Sequence, residues 1–271
     1  MRLVLLLTAV ISATASANPV AVPTGGPSFF GDIYISSEKL AVIIGPGDAE
    51  FNGTFTFKSA KRVWGDIDYV TIAVPIWFPA EAQNGDPAIS AFWAVFNDDY
   101  ANLGSTTEGQ TVKKILGLRA HLDDRELRPV RVYISGHRYN QKLFPQGWEL
   151  SGCRILLFDF DVPPHIINDA SPVTISYRQP LVRSNGTWDF AYVPIFAHLP
   201  AGISTSDTNV YSITISADPY CELTVTNGAS ISVMQPGQSA ILRPQNLQAI
   251  HASVRPWPHK SVQSDAASAR R

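Results

Sequence analysis

Along much of the chain apolar and polar residues alternate with a period of two, the pattern of strands that bury one face. In "EFNGTFTF" Phe51, Gly53, Phe55 and Phe57 share one face and Asn52, Thr54 and Thr56 the other. The turn cluster Gly45-Pro46-Gly47-Asp48 separates this run from "DIYISSEKLAVII", so the two predict a hairpin or a connection between sheets. "DYVTIAVPIWFP" is a further strand, with Pro75 suggesting an edge or a bulge. In "ILGLRAHLDDRELRPVRVYI" Leu116, Leu118, Ala120 and Leu122 alternate inward. Asp123-Asp124 then turns the chain, and Val130, Val132 and Ile134 resume the alternation. From Cys153 onward short β runs recur between the turn signals Pro163-Pro164, Asn185-Gly186, Asp218-Pro219, Asn227-Gly228 and Pro236-Gly237.

The period changes once. In "DPAISAFWAVFNDDYANLG" Ile89, Phe92, Trp93, Phe96, Tyr100 and Leu103 follow helical spacing. Asp86 suits the N-cap, Pro87 the first turn and Gly104 the end. This predicts a single short helix near 87–97. The rest predicts a mainly β chain of antiparallel sandwich architecture, as one large or two tandem sandwiches. The polar stretch "HRYNQKLFPQGWELSG" is the candidate boundary. It divides an N-terminal sandwich (18–140, with the inserted helix) from a C-terminal one (141–256), followed by a disordered tail (257–271).

The first residues change the picture of where the protein works. Arg2, the apolar run Leu3–Ile11 and Ala15-Ser16-Ala17 read as a signal peptide over 1–17. The apolar run is too short to span a bilayer, which needs ~20 residues, and no later segment approaches that length. The expected location is therefore extracellular or periplasmic. Charged residues make up 16% of the chain, against roughly 25% in ordinary globular proteins, so Ser, Thr, Asn and Gln cover much of the surface. The net charge of −2 includes a basic cluster at the far C-terminus, Arg255, Lys260, Arg270 and Arg271, so the body is more acidic still. No basic face presents itself for nucleic acid.

Two cysteines, Cys153 and Cys221, are expected to form a disulfide after export. The loop of about 68 residues would give roughly 4 kcal/mol on the chain-entropy account. Two buried thiols are the alternative.

Candidate chemistry is sparse. In "CRILLFDFDV" both faces are apolar in the middle, which predicts a central strand. Its exit end carries Asp159 and Asp161 on one face, about 6.6 Å apart at Cα. Such a pair could share a calcium ion with other oxygens, although a solvated strand end is the simpler account. An extended Pro163-Pro164 would put His165 roughly 12 Å beyond Asp161. Asp66 with Asp68, and Asn97-Asp98-Asp99, lack the full rhythm of a calcium loop. G-x-S-x-G, H-E-x-x-H, Cys-x-x-Cys and phosphate-loop motifs are absent, and no cofactor is expected. Trp148 and Trp188, beside glycines or at a strand start, are candidate platforms for sugar rings; capping of a sandwich core is the other role open to them. Asn52-Gly53-Thr54 and Asn185-Gly186-Thr187 fit the glycosylation pattern, and Asn-Gly is equally a turn signal.

The segments "SSEKLAVIIGPGDAEFNGTFTF", "VPIWFP", "DPAISAFWAVF", "VTISYRQPL" and "FAYVPIF" together resemble uncharacterised secreted bacterial proteins of mostly β structure. The resemblance implies export and a β fold and carries no activity. The function expected on these grounds is a non-catalytic binding or structural role at the cell envelope, with an envelope protein or a glycan as partner. A carbohydrate-binding module comes next and a hydrolase third.

Overall fold

The computed structural model describes residues 20–22, 33–59, 69–80, 87–96, 100–103, 106–134, 153–184, 186–192, 211–227, 230–242 and 250–257. They form three sheets, mostly antiparallel, as the sandwich expectation requires. Sheet A joins β1 (Val20–Val22), β4 (Val70–Pro79), β9 (Cys153–Val162), β8 (Pro129–Ile134) and β5 (Tyr100–Asn102) in that order. Sheet B runs β16 (Ser239–Leu242), β13 (Tyr211–Ala217), β2 (Ile33–Ile44), β3 (Asp48–Ser59), β10 (Pro172–Pro180), β6 (Arg119–Leu122) and β7 (Arg125–Leu127). Sheet C runs β11 (Val182–Ser184), β12 (Thr187–Tyr192), β17 (Ile250–Pro256), β14 (Cys221–Asn227) and β15 (Ser230–Met234). Among the described pairs only β13 with β2 is parallel. Sheets A and B each combine strands from before and after residue 140, so the hydrogen bonding crosses the boundary expected there.

Sheet B is the spine. Its long strands bury one face, with Leu40, Val42, Ile44, Phe51, Phe55 and Phe57 in the core. Sheet C covers that face near the Gly45–Gly47 turn, where Phe51 stacks on Tyr177 at 4.5 Å and Phe190 of β12 lies 5.7 Å from Phe51. Toward the other end β10 meets β4 of sheet A, and β3 packs on α3 (Pro164–Asn168). The turn itself follows the sequence reading. Gly47 has φ +99°, a conformation glycine adopts without strain, and its carbonyl accepts from Leu181 N–H at 2.7 Å. Asn52-Gly53, by contrast, is not a turn. Gly53 sits inside β3, and a Cβ there would lie 2.5 Å from the ring of Phe55. The missing side chain makes room for that ring.

The predicted helix is α1 (Pro87–Val95). Ile89, Phe92 and Phe96 are buried, as the spacing required, and the Trp93 indole donates to the Pro79 carbonyl at 2.9 Å. Tyr100 belongs instead to β5. Two further helices correct the single-helix expectation. In α2 (Thr107–Leu116) the Thr106 hydroxyl accepts from Gly109 N–H at 3.1 Å, and Gly117 at φ +57° ends the helix. Leu116 thus points inward from a helix rather than from a strand. The short α3 begins immediately after β9, so the extended-chain distance from Asp161 to His165 does not apply.

Pro75 lies inside β4, which is not an edge strand, yet the described pairing with β1 stops at Ala73.

The cysteines require a correction. Cys221 is a free thiol buried beneath sheet C, its Sγ 3.2 Å from the Ile44 carbonyl of sheet B, rather than half of a disulfide. Cys153 belongs to sheet A, opposite Pro79; its side chain lies outside the described residues. Burial pushes the Cys221 thiol above its ordinary pKa, which keeps it protonated and unreactive. A Cys153→Ser variant should therefore show no reaction with a thiol reagent while native and one thiol per chain after unfolding. Exported wild-type protein unfolded without reductant should titrate both of its 2 cysteines; a titre of zero would restore the disulfide.

Candidate functional site at the seam of sheets A and B

Three segments distant in sequence meet where sheet A adjoins the free end of sheet B. The β6–β7 hairpin places Leu122 directly opposite Arg125, joined through Asp123-Asp124. Asp123 takes φ +49°, which aspartate tolerates better than most residues. Lys113 of α2 holds the hairpin from outside, its Nζ 2.7 Å from Glu126 Oε1. That hydrogen bond and charge hold the Glu126 carboxyl below its usual range. On the other side Tyr69 stands just before β4, Asp161 and Val162 end β9, and Pro163 follows it.

Between them lies a groove of about 490 Å³ lined by Tyr69, Leu122, Arg125, Glu126, Leu127, Arg128, Asp161, Val162 and Pro163. Leu122, Leu127 and Val162 are buried and form an apolar floor. Tyr69 is 41% exposed, and Arg125 and Arg128 are exposed at the rim. Asp161 is held in place: the buried Thr71 hydroxyl donates to its Oδ1 at 2.9 Å, and an Arg131 guanidinium nitrogen stands 3.9 Å away. A carboxylate fixed in this way is a directional acceptor on a rigid strand.

The aspartate pair singled out in the sequence is thus one of the groove's supports. Asp159 and Asp161 share a face of β9, and the cation beside them is Arg131, whose Nε is 3.6 Å from Asp159 Oδ2. Asp159 is fully buried and lies directly across from Arg131 in the β8–β9 pairing. Among the described residues no three His, Cys, Asp or Glu side chains gather into a set that fits a metal ion. Asp66, Asp68 and Asn97-Asp98-Asp99 lie outside the described residues, as does the signal segment 1–17.

Of the two tryptophans proposed to carry sugar, Trp148 lies outside the described residues. Trp188 sits on the inward side of sheet C, opposite Val254, half-buried and packed against the core. The Arg183 guanidinium lies over its ring, 5.1 Å from the centroid, and so covers part of the surface a sugar would need. Nearby, Arg178 pairs with Asp48 at 2.5 Å and Glu50 at 3.5 Å. Burial raises the Asp48 pKa, with Arg178 opposing it. On the outward side of sheet C, burial raises the Asp189 pKa and lowers that of His251, and the charge of each partly offsets the effect on the other.

The sequence reading missed the groove. Its one readable member was Asp161, noticed as half of an acidic pair. Tyr69 and the arginines carry no local signal, because only the pairing of β6 with β10 and of β9 with β4 brings them together.

Neither a known protein-family model nor a curated protein matches the chain. No helix among the described residues is long and apolar enough to cross a membrane.

Proposed function

We propose that this is a secreted or periplasmic, non-catalytic β-sandwich protein with a binding role at the cell envelope, and that the groove between β7 and the exit of β9 takes a saccharide. The groove carries this reading. Its volume of about 490 Å³ falls within the range of ligand sites, roughly 300–1,000 Å³. An exposed tyrosine ring, an apolar floor and a few fixed polar groups form the mixture by which such sites hold a ligand that is apolar on one face and hydroxylated at its edges. Asp161 supplies the fixed acceptor. The N-terminal segment read as a signal peptide supports export, and the Ser/Thr-rich strands suit an extracytoplasmic surface.

The test is a calorimetric scan of the mature protein with fragments of envelope polysaccharides. A ligand at a hundred times its dissociation constant stabilises the fold by about 2.7 kcal/mol. The Tyr69→Ala protein should lose that stabilisation and unfold at an unchanged temperature in the absence of ligand. If Tyr69→Ala responds as the wild type does while Trp188→Ala does not, the site lies in sheet C and the assignment to the groove fails.

A further inference from the structure

Resting on the reading that the groove takes a saccharide, we infer that the saccharide is anionic and that Arg125 and Arg128 receive its charged group. The two arginines flank Glu126 in sequence, but Glu126 is engaged by Lys113 of α2. Among the described residues neither Arg125 nor Arg128 forms an ion pair, whereas Arg131 and Arg178 each face two carboxylates. Asp123 and Asp124 share the turn and Glu126 lies within electrostatic reach of Arg128, so what the hairpin offers is not a net positive charge but two exposed guanidiniums whose donors no carboxylate engages, both on the β7 side of a groove with an apolar floor. Three residues of extended chain separate the two by about 10 Å, so they stand at either end of the short β7 edge rather than at one point. A guanidinium presents a planar fork of donors that matches a carboxylate or phosphate in two parallel hydrogen bonds. The carboxylate within the groove, Asp161, does not oppose an anion with its full charge, because Arg131 stands beside it and Thr71 donates to it. Arg125 and Arg128 thus supply the charge selectivity, Tyr69 the ring contact and Asp161 an acceptor for a sugar hydroxyl. The chemistry fits a hexuronate or a sugar phosphate, sources that share the oxyanion and differ in its shape.

The experiment is isothermal titration of the full mature chain with tetragalacturonate, mannose 6-phosphate and the neutral maltotetraose. Wild-type protein is expected to bind at least one anionic probe about tenfold or more tighter than maltotetraose, with affinity falling as salt is raised. The Arg125→Ala/Arg128→Ala protein is expected to lose that preference while keeping its melting temperature, since both side chains are exposed. Tyr69→Ala should weaken every probe that binds. Binding of the phosphate probe alone, with the same arginine dependence, upholds the inference and names the anion. Equal binding of neutral and anionic probes, insensitive to the arginine changes, overturns the inference and leaves the saccharide reading standing. No binding of any probe overturns both.

Discussion

Replacing Arg131 with alanine is expected to lower the stability of the folded protein by about 3–5 kcal/mol, the range found when one partner of a buried ion pair is removed. The reason is the asymmetry of the pair. Asp159 is fully buried, while the Arg131 side chain remains 25% exposed. Without the guanidinium, the buried Asp159 carboxylate in the centre of sheet A loses the cation directly across from it. The reverse change is milder. Asp159→Asn leaves an arginine that still reaches Asp161 and solvent, so a loss of about 1–2 kcal/mol follows. Asp161→Asn should be the smallest, under about 1 kcal/mol, because an amide oxygen can still accept from Thr71. Urea denaturation of the three variants checks the order. An Arg131→Ala protein no less stable than Asp161→Asn would show that the pair does not hold this part of the sheet.

The second large effect lies between sheets B and C. Glu38 of β2 is fully buried, and the hydroxyl of Tyr192, itself buried on β12, donates to its Oε1. Its own burial, and after it the charge of the same carboxylate, push the Tyr177 hydroxyl well above its ordinary pKa. Tyr192→Phe removes one oxygen and creates almost no cavity. It should nevertheless lower stability by about 1.5–3 kcal/mol, the usual effect of removing a hydrogen bond to a charged group. For a domain of this size the melting temperature should fall by about 2–4 °C for each kcal/mol. Glu38→Leu combined with Tyr192→Phe should lose less than the sum of the single changes, because the double variant leaves neither group unpaired. Strict additivity would mean that the two side chains do not depend on each other and that other groups satisfy Glu38.

These two clusters show what was legible in the sequence and what was not. The alternation around Phe51, Gly53, Phe55 and Phe57 correctly marked the buried face of β3, because a period of two acts within one strand. In the neighbouring strand the same alternation runs on from Leu40, Val42 and Ile44 to a charged residue, Glu38, and nothing local says what would pair it. Glu38 shares the buried face of Leu40, Val42 and Ile44, a place where a carboxylate is not expected, and a partner 154 residues away satisfies it. Asp159 and Asp161 were visible as a pair at a strand exit. Their companion Arg131 was not, since the β8–β9 register decides it. α2 escaped notice because Gly109 and several polar residues dilute its apolar face; Thr106 and Gly117 were its readable boundaries. The disulfide expectation rested on cysteine count and compartment, which say nothing about which sheet each cysteine joins. The groove is the extreme case, assembled entirely by long-range pairing.

Amide hydrogen exchange of the mature protein, with and without a saturating anionic oligosaccharide, tests the central claim most directly, because it locates the ligand on the fold. The account predicts slower exchange through the β6–β7 hairpin, residues 122–128, and at the end of β9, residues 161–163, with β12 and β17 unchanged. Protection confined to β12 around Trp188, or bound ligand with no change at the hairpin, would contradict it.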